Sequence, residues 1–399
     1  MGNEYAKTEQ VKEAEQQIKQ VYNVFDEDCE KKEATAALAA RALENTAGDG
    51  YAHIWSENAL REFKSSVELL SGGTNTVLVD DRGIPSVMVR VPLLTNRDLL
   101  RKGSDTVHPA FMLRGEPQKA LYISKFQNIL IDGRGYSLPL KDPAYGVPFE
   151  QALEACRAKG DGWHLSSFAL RAALVLWMRQ NGFLPHGNSD DGCDFLHREE
   201  RGMPTLDGRV ATGSGPVTWA HNHSRDGIFD LTGNLNEWFA GLRLMNGEIQ
   251  IIPGCDCALP ECDMSQDSHD WRAVLPDGTL ADPGSQDTLK FDYRDGAIRL
   301  TTRIGECTGE PHDCSFKDVR AEEGLCLPEL IYSLILCPED SDGLYDGWRW
   351  IKTEGECLPL CGGAHRVQNH AGVYFLGMTY PRTKNYELAG FRSACILKD

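Results

Sequence analysis

Apolar residues near the N-terminus recur at alternating spacings of three and four: Val11, Ala14, Ile18, Val21 and Phe25. That spacing makes a short heptad seam. Residues 4–45 are therefore read as helical, either as a coiled coil or as one amphipathic helix on its own domain. The Ala-rich run Ala34–Leu43 continues as good helix former, and Gly48-Asp49-Gly50 breaks it. A second helix is predicted over Ser56–Leu70, ending at Gly72-Gly73. The pattern then changes. Val77-Leu78-Val79 and Val87-Met88-Val89-Arg90-Val91 are β-rich runs around a turn at Asp80-Asp81-Arg82-Gly83. Tyr122–Phe126 and Asn128–Ile131 are read as a repeat of that hairpin pattern.

Two further helices have punctuation at both ends. Pro148 opens Phe149–Lys159 and Gly160 closes it. Ser166 or Ser167 caps Phe168–Asn181, which stops at Gly182 and carries the apolar stripe Leu170, Leu174, Trp177, Met178. Past residue 210 the chain reads as short strands and loops. Within it, residues from about 253 to 346 are acidic, Cys-rich and loop-rich, and are read as an insertion. This divides the chain into a helical head (1–73) that is a candidate oligomerisation segment, a small β region (74–118) and a main α+β domain (119–399).

The last forty residues show a different regularity. Gly362-Gly363, Ala371-Gly372-Val373, Arg382 and Gly390-Phe391-Arg392 look like a frame, and between them stands a chemically mixed set. Catalysis needs few residue types in fixed roles. A recognition surface needs varied anchors on a stable scaffold.

Composition narrows the options. The 399 residues carry 41 Lys and Arg against 59 Asp and Glu, a net charge of -18. A nucleic-acid binder needs a basic footprint, and docking on anionic membranes is disfavoured for the same reason. No apolar run is long enough to span a bilayer. Met1–Val24 is polar and lacks a signal-peptide core, so export by the general secretory route is not expected. Thirteen cysteines are an odd number. Free thiols are the expectation, with disulfides formed after release or a metal site as alternatives, although Cys255-x-Cys257-x4-Cys262 is not a recognised zinc spacing.

The most patterned internal stretch is Asp226–Trp238. Its Gly227 and Gly233 supply turns, Asn234 and Glu237 supply backbone-bonding groups, and Phe229 and Trp238 supply core. It reads as a loop braced from within. A structural calcium site built from its Asn and acidic oxygens is the alternative. Phosphate-loop, dinucleotide, His-Glu-x-x-His and nucleophile-elbow motifs are all missing. His164 is read as structural.

Val147-Pro148-Phe149-Glu150-Gln151-Ala152, Gly162-Trp163-His164-Leu165, Gly227–Trp238 and Gly390-Phe391-Arg392 together resemble the formylglycine-generating-enzyme branch of the C-type lectin fold, over roughly residues 119–252 and 345–399. The resemblance implies a C-type lectin-like main domain. It does not carry the oxidase activity across, because those enzymes use a Cys pair shortly before the terminal Gly-Phe-Arg, and Gly363–Gly390 contains no Cys.

A narrower resemblance is to the variable proteins of diversity-generating retroelements. It rests on Gly362-Gly363, Ala371-Gly372-Val373-Tyr374, Arg382 and Gly390-Phe391-Arg392-Ser393-Ala394, with Gly241–Leu244 and Gly247–Ile252 similar to phage-encoded members. What it implies is a non-enzymatic binder, with no cofactor, whose segment 362–394 is diversified. The positions matching diversified sites are Ala364, His365, Arg366, Val367, Asn369, His370, Phe375, Gly377, Thr379, Tyr380, Lys384, Tyr386, Glu387 and Leu388. Tyr374, Thr383 and Ala389 depart from the family's usual Phe, Ser and Ile. Lys384 and Glu387 do not arise from an Asn codon by changes at its two leading adenines. The implied setting is a phage tail receptor-binding protein in the virion, with a bacterial surface binder as the alternative. The implied partner is a host cell-surface protein or glycan, engaged by a homotrimer if the head oligomerises.

Overall fold

Local signals set the helices. The computed structural model describes residues 56–305, 308–340, 345 and 347–397. The expected heptad helix over 4–45 lies outside them. Helix Glu57–Leu70 starts where Ser56 accepts a hydrogen bond from the Ala59 amide at 3.2 Å. Helix Phe149–Arg157 begins directly after Pro148. Helix Phe168–Gln180 is capped by Ser167, whose hydroxyl accepts from the Leu170 amide at 3.1 Å. The stripe expected on this last helix is wider than four residues: every side chain from Phe168 to Leu176 is buried.

Two sheets hold these helices, and the architecture is mixed α+β. In the five-stranded sheet the order is Asn75–Val79, Pro85–Pro92, Ala120–Ser124, Ser393–Cys395, Trp163–Leu165. The first two strands pair as the predicted hairpin, with Val77 opposite Val87. They are not a separate β region, however. Val89 pairs with Ile123, and Ile123 pairs with Ala394, so the stretch at 74–118 is joined to the main domain through the chain's last strand. The second expected hairpin also differs. Ala120–Ser124 stays in this sheet, whereas Ile129–Ile131 pairs locally with Arg134–Tyr136.

Residues 253–346, expected to be loop-rich, contribute strands to the thirteen-stranded sheet. Lys290–Arg294 and Ala297–Thr301 form a regular hairpin, Glu248 pairs with Lys290, and Gln250 pairs with Ala273. His312–Ser315 pairs with Trp348–Ile351. The Cys-rich stretch therefore extends the sheet, and its cysteines are mostly core. All described cysteines are free thiols, buried except for Cys326.

The C-terminal segment lies inside that sheet, third from one end of its main strand order. Leu376–Tyr380 is hydrogen-bonded on one side to Glu356–Cys361 and on the other to Trp348–Ile351. Ala389–Phe391 runs parallel to Asn236–Trp238. No described helix is long and apolar enough to cross a membrane.

Candidate functional site

The Asp226–Trp238 loop is braced by protein atoms. Asn234 Oδ1 accepts from the Val210 amide at 2.9 Å, and its Nδ2 donates to Gln127 Oε1 at 2.9 Å and to the Val210 carbonyl at 3.1 Å. Both Glu237 oxygens accept from Arg392, each at 2.8 Å, and neither partner is exposed. Arg392 also donates to the carbonyls of Ser124, Lys125 and Phe229. Trp238 packs edge-on against Phe149 and donates from Nε1 to the Val147 carbonyl at 2.7 Å. Of the oxygens that a calcium would take, those of Asn234 and Glu237 are engaged by neighbours, whereas Asp230 Oδ1 and Asn236 Oδ1 have no hydrogen-bond partner. Among the described residues no three His, Cys, Asp or Glu side chains converge as metal ligands, Cys255, Cys257 and Cys262 included. Asp230, in the same loop, is buried, and burial raises its carboxyl to about 6 despite Arg392 beside it. His164 is buried in the five-stranded sheet, with Nδ1 3.0 Å from the Gly162 carbonyl.

The frame of the last segment is bolted to this core. Gly362 and Gly363 have φ of +90° and +80°, and a Cβ on them would meet the Leu231 carbonyl oxygen at 2.7 Å and Ala371 Cα at 2.8 Å. Val373 is buried and Tyr374 stacks on Phe316 at 4.9 Å. Arg382 donates to both oxygens of Glu356, each at 2.7 Å, to the Met264 carbonyl at 2.8 Å, and to Glu150. Glu356 simultaneously accepts from Arg243 at 2.9 Å.

Nine of the sequence-derived positions gather around one surface concavity of about 490 Å³. Arg366, Val367, Asn369 and His370 reach it from the turn after Gly-Gly, Phe375 from just before strand Leu376–Tyr380, and Gly377, Thr379 and Tyr380 from that strand. Tyr386 closes it, its ring 4.8 Å from that of Tyr380. Burial pushes the Tyr386 phenol up to about 12. Phe375 and Gly377 are buried and form floor, whereas Arg366 and Asn369 are exposed.

Five positions lie elsewhere. Ala364 and His365, expected on the face, are fully buried. The cause is the direction of the Gly-Gly turn, which drives the chain inward. The His365 amide donates to the Asn234 carbonyl at 3.2 Å, and its carbonyl accepts from the Asp191 amide at 2.8 Å. The His365 ring lies 3.0 Å from Asp191, and burial holds its pKa below the usual histidine range. Lys384 and Glu387 are exposed and Leu388 half-buried on the 381–388 loop, outside the concavity. Lys384 Nζ stands 5.8 Å from the Tyr380 ring centre.

Sequence reasoning missed the far wall. Asn236, Pro311, Trp350, Lys352, Leu360 and Gln368 also line the concavity, and all but Gln368 lie outside the 362–394 segment. One sequence signal was available for Trp350. Trp348 and Trp350, two apart in a strand, must share a face, and both are half-buried while Arg349 and Ile351 are buried.

The glycines separate into two kinds. A Cβ on Gly363 collides with backbone, but on Gly377 it meets nothing closer than 3.8 Å, and Gly377 has no positive φ. Gly363→Ala is expected to cost about 1–3 kcal/mol in urea unfolding, whereas Gly377→Ala, whose Cβ meets only ordinary contacts, is expected to change stability by less than about 1 kcal/mol. Equal losses at the two sites would contradict this division.

No family model matches the chain, and no curated protein matches its sequence. Among solved structures, PvdO from Pseudomonas aeruginosa aligns over 81% of this chain and 98% of that chain, with 14% identity and a TM-score of 0.26. A likeness so slight carries neither fold nor function across.

Proposed function

We propose that this chain is a non-enzymatic ligand-binding protein. On this reading its main domain is a C-type lectin-like frame of the formylglycine-generating-enzyme type, and segment 362–394 presents a retroelement-diversified face. The setting is a phage tail receptor-binding protein recognising a host surface ligand. One observation supports the reading most. Nine positions scattered over 366–386 share a single concavity, while Arg382 between them and the Gly362-Gly363 turn and Arg392 on either side tie the segment into the core.

Such a division lets contact residues change without breaking the buried bonds of the scaffold, and at the exposed Arg366 and Asn369 substitutions shift stability little. The cysteine beside the Gly-Gly turn does not favour an oxidase reading. Cys361, just before the Gly-Gly turn, is buried, and burial raises its thiol to about 12. A thiol that stays protonated is a poor nucleophile.

The coding DNA tests the diversification claim. A near-copy of the codons for residues 362–394 should lie nearby, differing at adenines, with a reverse transcriptase gene adjacent. A copy whose differences fall on all four bases, or no copy, would overturn it.

A further inference from the structure

The concavity has a chemical bias that its variable positions do not explain. The chain carries 59 acidic residues, yet among the described residues no carboxylate lines the concavity. Two cations do, Lys352 and Arg366. Arg366 is partly neutralised, with Asp191 at 3.5 Å and the Asp207 carbonyl at 3.1 Å. Lys352 makes no ion pair among the described residues and is only half-buried. An ammonium in that state offers its donors outward.

Around the cations stand Trp350, Phe375, Tyr380 and Tyr386. Aromatic faces carry partial negative charge and attract the polarised C–H edges of a ring laid over them. The remaining polar side chains are the His370 imidazole, the amides of Asn236, Gln368 and Asn369 and the Thr379 hydroxyl. Asn236 is the informative one. It is 2% exposed and its side-chain oxygen has no hydrogen-bond partner. A buried amide left open costs about 1–3 kcal/mol unless something meets it, and this one is in the wall of the concavity. A volume near 490 Å³ is in the range of small-ligand sites.

Resting on the recognition reading above, we propose that the concavity takes a carboxylated saccharide. Lys352 meets the carboxylate, the tyrosine pair and Trp350 stack on the sugar face, and Asn236 bonds a hydroxyl. An acidic peptide fits less well. Extended peptides are captured by adding a strand to an open sheet edge, and here both edges of Leu376–Tyr380 are already paired. Lys352, Trp350 and Asn236 all lie outside segment 362–394. They form a constant subsite that fixes the ligand class, while the neighbouring variable positions choose the member.

The test uses the full chain on an array of uronic- and sialic-acid-terminated glycans, their methyl esters, neutral glycans and poly-glutamate peptide. Carboxylated glycans should be retained at least tenfold more strongly than their esters. Lys352→Gln should lose about tenfold and Lys352→Arg should recover most of it, with thermal melts of both unchanged. Equal retention of acids and esters, an inert Lys352→Gln, retention of the peptide alone, or no retained acidic glycan would each overturn the proposal. If neutral glycans are held instead, and Tyr380→Ala releases them, the acid subsite falls while the recognition reading stands.

Discussion

Arg392→Ala is expected to lower the unfolding free energy by about 3–5 kcal/mol, the penalty for breaking a buried ion pair from one side. The guanidinium is fully buried and makes two bonds to Glu237 and three to the Ser124, Lys125 and Phe229 carbonyls. Its removal leaves Glu237 charged, 2% exposed and without its cation. It also removes the donor from the Ser124 and Phe229 carbonyls, while the Lys125 carbonyl keeps the Phe229 amide. Lys is not a substitute, since the bonds need a planar fork with several donors. Equilibrium urea unfolding measures the loss, and Arg392→Lys should recover less than half of it. A loss below about 1 kcal/mol for Arg392→Ala would mean that the brace is not what holds Asp226–Trp238 against the C-terminal strand.

Glu356→Ala should be at least as damaging as Arg382→Ala, although Glu356 is one residue serving two partners. Arg243 and Arg382 converge on it, and its side chain is 3% exposed. Deleting the carboxylate strands two guanidinium groups near each other in a partly desolvated site. Deleting Arg382 leaves Glu356 still paired to Arg243 at 2.9 Å. The expected losses are about 3–5 kcal/mol for Glu356→Ala and less for Arg382→Ala, read from denaturant midpoints at constant slope. Arg382→Ala has a second signature. Arg382 fixes the start of the 381–388 loop to Glu150 and Met264, so its loss should raise amide exchange around Tyr386 while the rest of the sheet stays protected. Protection lost across the whole sheet would instead make Arg382 part of the global core.

Much of the helical layer was legible because its signals are local. Pro148 before Phe149, and Ser167 three residues before Leu170, mark helix starts by chemistry that acts within one turn. The Asp80–Gly83 turn marked its hairpin in the same way. Long-range pairing left no such mark. Nothing near residue 89 announces that its strand is one removed from the strand that ends at Cys395. The Cys-rich stretch looked like loop because its strands are short and interrupted by Gly and Asp, yet partners contributed by Glu248 and Gln250 turn them into sheet. The site divides along the same line. The contact positions of 366–386 stood out because varied chemistry alternates with fixed glycines over a short span. Trp350, Lys352 and Asn236 reach the same concavity from other strands, and only the sheet order makes them neighbours. His365 was misplaced because a sequence shows that Gly362-Gly363 turns but not towards which side.

The strand Ser393–Cys395 is the fourth of five in its sheet, inserted between Ala120–Ser124 and Trp163–Leu165. Arg392 just before it carries the brace. This sheet therefore closes only once residues 393–395 have emerged to pair with strands made more than two hundred residues earlier in the chain. A premature stop anywhere in 362–394 leaves Ile123 and His164 facing a missing neighbour. Such products would remain open and be cleared by proteolysis.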